Sequence, residues 1–419
     1  MKIYDPIYGN FVVPSPMSGL ISSPEFRRLS QIRLLNCITP SLATLGELRR
    51  YSHTLGVIRL AMEWLQSPKS TPWRSIANEF LAAVLLHDVA TPPFGHIFEY
   101  LLRERYGWDH EAVIVDVLGG AYAVGNTAHQ IFAHKSLSLL NEFRRAKLDH
   151  AVVIAILKKH HPLSKLIFGT LDLDNLDNVT RMSWALGSAN ADDTLALARS
   201  IGVSASGDVE LPRGERARVE AWAMMRRKCY DIIVFDPETS AAQAVLTEAL
   251  RSALDKGLIG VEDWDLTDEG LLDRLMVDRA LRDLAADQYL GRLPSCYCIA
   301  QWTGPIKDIR MSGDEIKAAA TEIALRAGVQ RPLIYLFWDS GSFEKELELL
   351  DPSYGPWYSG TRSDSLVVYF FSRLRSRPQA LVLRQLIGTL HGAIEKRFGG
   401  VWNIRFPATH DDAQIELAV

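Results

Sequence analysis

Residues 80–99 read FLAAVLLHDVATPPFGHIFE, a continuous apolar run followed at once by a cluster of ionisable side chains. The apolar run predicts a helix packed in a core, and the Pro92–Pro93 pair predicts where that helix ends. The run closes on His87 and Asp88. Burying an ionisable pair is unfavourable unless another charge compensates it, and a bound metal ion supplies such a charge. The stretch therefore predicts a metal site at the end of an apolar helix.

Other segments supply further histidines and carboxylates. They are Arg50-x-x-His53 before the stretch, His96-x-x-Glu99 at its end and Leu171-Asp-Leu-Asp174 much later in the chain. Two imidazoles and two carboxylates form a ligand set that suits Mn²⁺, Fe²⁺, Co²⁺, Ni²⁺, Mg²⁺ or Zn²⁺, with positions left for water and substrate. Because no thiolate takes part, we do not expect a closed structural zinc site. The predicted metal ligands are His53, His87, Asp88 and Asp174.

Composition and charge limit the class of protein. The 419 residues carry a net charge of −4, which argues against electrostatically driven binding of nucleic acid. The chain opens without a secretory signal, and no apolar stretch reaches the length of a membrane span, so we expect a cytoplasmic protein with no membrane partner. The cysteines are too few and too scattered for a disulfide framework, and we expect burial of Cys37, Cys229, Cys296 and Cys298.

The hydrophobic pattern predicts a mainly α protein. Residues 1–22 predict an irregular arm or short hairpin, because they are rich in Pro, Gly and Ser. Helical periodicity then continues to about residue 186 and resumes from about 215 to 290. Between these parts, residues 188–216 predict a loop or small insertion. We therefore predict a helical domain over residues 1–290.

The character of the chain changes after Pro294. Aromatic and aliphatic runs at 333–338 and 366–371 predict strands, and amphipathic stretches at 313–327 and 379–397 predict helices packed on them. The aromatic side chains of these runs are expected to fill the core of a sheet. We therefore predict a smaller mixed α/β domain over residues 291–419.

Many short motifs together resemble one known family. In chain order they are Asp5-Pro-Ile-Tyr-Gly9, Phe26-Arg-Arg-Leu29, Arg50-Tyr-Ser-His-Thr-Leu-Gly56, Leu86-His-Asp88, Pro93-Phe-Gly-His96, Trp108-x-His110-Glu111, Leu171-Asp-Leu-Asp174-x-x-Asp177 and Arg227-x-x-Tyr230. Over roughly residues 1–290 the chain resembles the HD-domain phosphohydrolase superfamily, in particular the SAM-and-HD-domain dNTPases and the bacterial dGTP triphosphohydrolases. The resemblance implies an HD-type helical bundle, a divalent metal on the four ligands named above, and a homo-oligomer.

The resemblance also implies roles for residues around the metal. His96, Glu99 and His110 match catalytic residues beside the scissile phosphate. Glu99 lies three residues after His96 and is expected to orient its imidazole from the same helix face. The residues expected to bind substrate are Arg50, Asp177, Arg227 and Tyr230, with a supporting or capping role left open for Asp177.

The sequence differs from the family at positions where the family's residues contact the sugar and the outer phosphates of the nucleotide. Leu34 takes the place of a glutamine that recognises the sugar hydroxyl, and Thr91 takes the place of a histidine. Asn175 and Asn178 replace a lysine and a tyrosine, and Trp222 replaces an arginine. These departures predict that the metal and phosphate chemistry is kept while recognition of triphosphate and sugar is altered.

Three functions are consistent with these observations. The first is a metal-dependent phosphohydrolase acting on (deoxy)nucleoside triphosphates or related phosphoesters. The second is a phosphodiesterase acting on cyclic or oligomeric nucleotides, which the missing arginine favours. The third is a nucleotide-sensing regulatory module with vestigial hydrolysis, against which the presence of His96 and Glu99 argues.

Overall fold

A computed structural model describes residues 1–119, 138–303, 318, 334–342, 345–360, 364–372 and 401–405. In the C-terminal strands, part of this description covers the backbone alone. Apart from residue 318, the helices predicted at 313–327 and 379–397 lie outside the described residues, and so they stay predictions.

Helices dominate the described part of the chain. They are α1 (Ser15–Ser22), α2 (Pro24–Arg28), α3 (Ala43–Gly46), α4 (Arg50–Leu65), α5 (Ala77–Leu86), α6 (His96–Tyr106), α7 (His110–Gly119), α8 (Leu139–Arg145), α9 (His150–Leu157), α10 (Lys165–Phe168), α11 (Leu173–Ala185), α12 (Ala191–Ser200), α13 (Arg216–Phe235), α14 (Pro237–Asp255), α15 (Asp268–Met276) and α16 (Arg279–Leu290). The strands are β1 (Lys2–Asp5), β2 (Gly9–Val12), β3 (Gly202–Val203), β4 (Val209–Glu210), β5 (Ser295–Thr303), β6 (Ile334–Ser342), β7 (Leu347–Asp351), β8 (Gly355–Ser359), β9 (Asp364–Ser372) and β10 (Val401–Arg405). The predicted mainly α fold with a smaller C-terminal α/β part is confirmed.

Two local predictions need correction. The N-terminal hairpin is present, since β1 and β2 pair antiparallel, but it leads directly into α1, which the Pro and Ser content concealed. The loop predicted over 188–216 contains a further helix, α12. Asn190 caps that helix by accepting a hydrogen bond from the Asp193 amide, and Leu197 and Ala198 bury its inner face. The polar residues at the start of this segment therefore cap a helix and do not form a loop.

The core of the helical part is built around α4. This helix packs against α5, α11 and α12, and most of its residues are buried. Trp64 lies near its end, fully buried, with its ring 5.1 Å from that of Phe80 on α5 and its indole N–H donating to the Ile201 carbonyl. Burying such side chains stabilises the fold by roughly 1.5–3 kcal/mol each. This core brings α4, α5 and α11 together, and these are the helices on which the predicted metal ligands lie.

Two four-stranded sheets involve the residues after 290. The first has the strand order β10-β5-β9-β6 with antiparallel neighbours, and α14 packs on it through Ala241 and Ala244. Tyr369 and Phe371 of β9 are buried there, as expected for core aromatics. The second sheet has the order β3-β4-β7-β8, so a hairpin from the C-terminal part joins strands that follow α12. The domain boundary at 290/291 stays a proposal.

Two expectations from composition can be compared with the structure. Cys37, Cys229 and Cys296 are buried, as predicted, whereas the side chain of Cys298 lies outside the described residues. None of the described helices combines the length and the apolar character needed to cross a membrane.

A buried carboxylate holds the turn between α5 and α6. Asp268, at the start of α15, accepts hydrogen bonds from the Phe94 amide at 2.8 Å and the Arg33 amide at 2.9 Å, and it pairs with the Arg33 guanidinium at 3.2 Å. Phe94 has a φ of +54°, a conformation unusual for a side chain of that size. Asp268 therefore compensates for a strained backbone directly before His96.

We predict that Asp268→Ala lowers the free energy of unfolding by about 3–5 kcal/mol, because it leaves the Phe94 and Arg33 amides without their acceptor and removes one of the two carboxylates that pair with the Arg33 guanidinium. Chemical denaturation measures this, and Asp283→Ala, a change at an exposed position of α16, serves as the control with little expected loss. Equal stability of the two variants would contradict a clamp at Asp268.

Candidate metal centre and active site

His53 is held at both ring nitrogens by carboxylates of α11. Its Nδ1 donates to Asp177 Oδ2 at 2.7 Å, and its Nε2 lies 2.7 Å from Asp174 Oδ1. The ring is buried, whereas the Asp174 side chain is 31% exposed. Asp177 thus fixes the orientation of the imidazole and leaves Nε2 directed at Asp174. This arrangement is the one by which proteins orient metal-binding histidines.

A second layer of charge holds Asp177. Arg181, one turn later on α11, donates to both Asp177 oxygens at 2.9 and 3.0 Å and also pairs with Asp5 of β1 at 3.0 Å. Gly56 lies against this pair, and a Cβ there would be 1.8 Å from Asp177 Oδ1. The glycine in the motif that contains His53 is therefore required by close packing.

His87 points at the same carboxylate from α5. It follows the last residue of the helix, and its Nδ1 donates to the Val84 carbonyl at 2.7 Å. That bond places the proton on Nδ1, and Nε2 lies 3.2 Å from Asp174 Oδ1. The Nε2 atoms of His53 and His87 thus converge on one point, each with its other nitrogen already occupied.

Asp88, the residue directly after His87, completes the group. Its Oδ2 accepts from Arg50 Nη1 at 2.7 Å, and its Oδ1 accepts from the Thr91 hydroxyl at 2.8 Å. Burial would raise the pKa of Asp88, but the nearby Arg50, His87 and His53 outweigh it and hold the pKa well below its usual range. Asp88 is therefore an anion at neutral pH, as a metal ligand must be.

The electrostatics of both histidines show that the site attracts positive charge. Burial lowers the pKa of His53, but its bonds to Asp174 and Asp177 outweigh burial and raise that pKa to about 9. The pKa of His87 is raised as well, by Asp174 and Asp88 against the effect of burial. Burial likewise opposes the charge of Asp174, yet the two imidazoles hold the pKa of that carboxyl below its usual value.

The donors fit a divalent metal. Ligand atoms of His53, His87 and Asp88 lie within 4.8 Å of one another, and Asp174 Oδ1 touches both imidazoles. The set has the mixed nitrogen and oxygen character expected of a first-row transition metal or Mg²⁺, and no thiolate belongs to it. The four residues predicted from the sequence are thus brought to one place.

A second cluster lies at the start of α6 and α7. Glu99 is 1% exposed and binds both neighbouring imidazoles, with His96 Nδ1 donating to Oε2 and His110 Nδ1 to Oε1, each at 2.8 Å. Arg103 also donates to Glu99, at 2.6 Å. Burial raises the pKa of Glu99, but His110 and His96 outweigh it and keep the carboxyl ionised. The His96 side chain is 48% exposed, so the cluster opens to solvent at that ring.

The two clusters are neighbours, and a residue missed in the sequence lies between them. Asn36 Oδ1 accepts from the His96 amide at 3.2 Å and from Arg50 Nη2 at 3.5 Å. Gly95 has a φ of +49°, and a Cβ there would lie 2.2 Å from Asn36 and 2.8 Å from Arg50. No local pattern marks Asn36, because its role depends on a contact across 60 residues.

The predicted substrate residues are placed differently. Arg50 lies within the metal cluster, whereas Asp177 is fully buried with its oxygens bound to His53 and Arg181, which favours the supporting role left open above. Arg227 is on an exposed side of α13, where its guanidinium lies 3.8 Å from Asp231. Tyr230 packs under another guanidinium of α13. Substrate contact by these residues stays a prediction.

Comparison with known proteins agrees with this geometry. A family model of the HD domain matches residues 50–173, the segment that supplies His53, His87, Asp88 and the second cluster. The chain therefore contains an HD domain over residues 50–173 and is similar to HD-domain phosphohydrolases. The family resemblance seen in the motifs is thereby confirmed. Asp174 lies one residue beyond the matched segment, at the start of α11.

Curated relatives extend the match over the helical part. The chain is 28% identical to the uncharacterized protein YwfO of Bacillus subtilis over 238 residues, which are 56% of this chain and 51% of that protein. It is 29% identical over 130 residues to a deoxynucleoside triphosphate triphosphohydrolase of Gallus gallus, which are 28% of this chain and 20% of that protein. The chain spans about half the length of the bacterial and archaeal relatives it matches.

Solved structures share the fold over nearly the whole chain. A phosphohydrolase from Bacteroides thetaiotaomicron superposes with a TM-score of 0.64 and 16% identity, covering 89% of this chain and 100% of that chain. A hypothetical protein from Aquifex aeolicus gives a TM-score of 0.66 and 16% identity, covering 93% of this chain and 99% of that chain. The fold shared with these two structures therefore includes residues after 290.

We predict that Asp88→Ala abolishes metal binding while the fold is largely kept, because the variant loses an anionic ligand of a site whose other donors are two neutral imidazoles and Asp174. Metal analysis of the purified variant measures this. Asp116→Ala, an exposed carboxylate on α7, is the matched control and should retain wild-type metal content. Full occupancy in Asp88→Ala would rule out this site.

Proposed function

We propose that this protein is a metal-dependent phosphohydrolase whose substrates are nucleotides. The observation that carries the proposal is the convergence of His53 Nε2 and His87 Nε2 beside Asp88, next to a half-exposed His96 that is held by a buried carboxylate. A buried metal site alone fits a structural role, whereas a metal site with an accessible imidazole beside it fits hydrolysis. The match of residues 50–173 to the HD domain supports the same reaction class.

The residues of the site have different proposed roles in the reaction. His53, His87, Asp88 and Asp174 would hold a divalent metal, which when bound polarises a phosphoryl group and lowers the pKa of a water molecule. Glu99 accepts from Nδ1 of His96, so Nε2 is the nitrogen available to move a proton at the reacting oxygen. Arg50 keeps Asp88 ionised and is the proposed contact to a substrate phosphate.

Fewer observations support nucleotides as the substrate class. The motif resemblance extends to nucleotide-specific relatives, and the matching Gallus gallus protein is a deoxynucleoside triphosphate triphosphohydrolase. Two of the side chains that replace the family's sugar and phosphate ligands are apolar and buried. Leu34 is 8% exposed and Trp222 is 1% exposed, and both pack in the apolar core. We therefore propose a nucleotide phosphohydrolase with relaxed recognition of sugar and phosphate tail.

A phosphodiesterase acting on cyclic or oligomeric nucleotides is the second candidate, because Trp222 is buried where a ligand for a terminal phosphate was expected. A cytoplasmic location and a homo-oligomeric state are proposals that rest on composition and on the family resemblance.

We predict that His96→Ala keeps the metal content and lowers turnover by about 10²–10⁴-fold, the usual contribution of a positioned proton-transfer group. Metal analysis and steady-state kinetics on the same preparation separate the two effects. His160→Ala, an exposed histidine after α9, is the control and should retain full turnover. Wild-type turnover in His96→Ala would make His96 a structural residue.

The proposed function is tested with dGTP, GTP, dGMP and a cyclic dinucleotide, each assayed with several divalent metals for release of phosphate, pyrophosphate or triphosphate. We predict kcat/KM values for dGTP and GTP within about tenfold of each other, because the apolar side chain of Leu34 cannot hydrogen-bond to a hydroxyl of the sugar. We also predict only a modest preference for triphosphates. Strictly deoxy-specific release of triphosphate would contradict the relaxed recognition, and no hydrolysis of any substrate would contradict the function itself.

A further inference from the structure

The motif Phe26-Arg-Arg-Leu29 contains a buried arginine that the proposed reaction does not use. Arg28 is the last residue of α2 and is 2% exposed. Its Nη2 donates to the Val89 carbonyl at 2.9 Å and to the Thr91 carbonyl at 2.6 Å. Both carbonyls belong to the turn that follows the proposed metal ligand Asp88. Arg28 therefore holds the chain within three residues of that ligand.

The other terminal nitrogen of Arg28 holds a second segment of the chain. Nη1 donates to the Leu266 carbonyl at 2.8 Å and to the Trp264 carbonyl at 3.3 Å. The guanidinium also lies 5.4 Å from the centre of the Trp264 ring, which is 1% exposed. This segment leads into α15, whose first residue, Asp268, accepts from the Phe94 amide. The turn between α5 and α6 is thus held at its start by Arg28 and at its end by Asp268.

The sequence of this turn explains why a side chain supplies its hydrogen bonds. Pro92 and Pro93 have no amide hydrogen, so neither can donate to a carbonyl of the turn. An arginine suits this position, because its planar guanidinium presents several N–H groups in a fixed fork. Each terminal nitrogen of Arg28 has two hydrogens and bonds two carbonyls. A lysine carries all its donors on one atom and could not bond both segments at once.

Thr91 connects this arginine to the metal ligand. The threonine is fully buried, and its hydroxyl donates to Asp88 Oδ1 at 2.8 Å. Its amide donates to the Asp88 carbonyl at 3.0 Å, while its own carbonyl accepts from Arg28. The Asp88 carboxylate is therefore oriented by Thr91, and Thr91 is held in place by Arg28. Hydrogen bonds of this kind orient a ligand for its metal, and their loss usually weakens metal binding.

We propose that Arg28 and Thr91 are positioning residues for the metal ligand Asp88, with Arg28 fixing the turn and Thr91 fixing the carboxylate. Both act through Asp88 and not on the substrate. The inference rests on the metal site of the proposed function and goes beyond it, since it assigns a role to the arginine of the Phe26-Arg-Arg-Leu29 motif. It also gives position 91 a part in metal affinity, where the resembling family carries a histidine.

The test measures Mn²⁺ binding to the metal-free full chain by calorimetry. Thr91→Val removes the hydroxyl but keeps the branched shape, and it should weaken Mn²⁺ binding by about 10- to 100-fold, the usual cost of losing a hydrogen bond to a metal ligand. Thr91→Ser keeps the hydroxyl and should bind Mn²⁺ nearly as wild type does. Arg28→Lys keeps the charge but cannot bond both segments, so it should weaken Mn²⁺ binding as well.

Thr180→Val is the matched control, because Thr180 is also fully buried and its hydroxyl bonds the Thr194 hydroxyl at 2.7 Å, not a metal ligand. This variant loses the same chemical group as Thr91→Val and should bind Mn²⁺ as wild type does. The thermal unfolding midpoint of each metal-free variant is measured alongside. A purely structural role of Thr91 would lower this midpoint, as in Thr180→Val, and leave the Mn²⁺ affinity unchanged.

The outcomes for Thr91 decide the inference, because Thr91 is the residue that contacts the Asp88 carboxylate. Weaker Mn²⁺ binding in folded Thr91→Val, with wild-type affinity in Thr91→Ser and Thr180→Val, supports it. Wild-type affinity in Thr91→Val overturns it, and so does an equal loss of affinity in Thr91→Ser. This comparison holds even if Arg28→Lys does not fold, whereas folded Arg28→Lys with wild-type affinity removes Arg28 from the proposal.

The same measurements separate this inference from the proposed function. Wild-type protein that binds Mn²⁺ and hydrolyses nucleotides, together with unchanged affinity in Thr91→Val, overturns the inference and leaves the proposed function intact. Wild-type protein that neither binds Mn²⁺ nor hydrolyses any nucleotide overturns both.

Discussion

The burial of His53, His87 and Asp88 in an apolar helical core is the constraint on which the rest of the site depends. Each group loses its hydration, and each is compensated by a partner of opposite charge or by a directed hydrogen bond. The compensation extends outward through Asp177 to Arg181, which is itself 1% exposed. Because each partner is also buried, removal of one leaves the next uncompensated, so the network specifies one arrangement of α4, α5 and α11.

This network directs both imidazoles toward one point. The two imidazoles have their Nδ1 atoms bound to protein, which directs both Nε2 atoms to the point occupied by Asp174 Oδ1. Asp174 is partly exposed, as is His96 in the neighbouring cluster. Exposure therefore rises from the supporting residues to the proposed metal ligands and then to His96, the proposed proton-transfer residue, as expected where a substrate approaches from one side.

Regions distant in the chain set the geometry of that approach. Asp268 holds the left-handed turn at Phe94 and thereby the start of α6, where His96 and Glu99 lie. The hairpin of β7 and β8 packs through Leu347 in the same core as α4, α5 and α11. The C-terminal part of the chain is thus connected to the site by packing.

The sequence alone determined the helical class, the positions of α4 and α5, and the identity of the four converging side chains, since periodicity and the placement of ionisable residues after an apolar run are local properties. It also indicated that His96 and Glu99 pair, because residues three apart share a helix face. Only the tertiary structure decided that Asp177 supports His53 and that Asn36 joins the two clusters. Each of these depends on contacts between residues far apart in the chain, whose distances are set by packing of the whole core and leave no trace in local spacing.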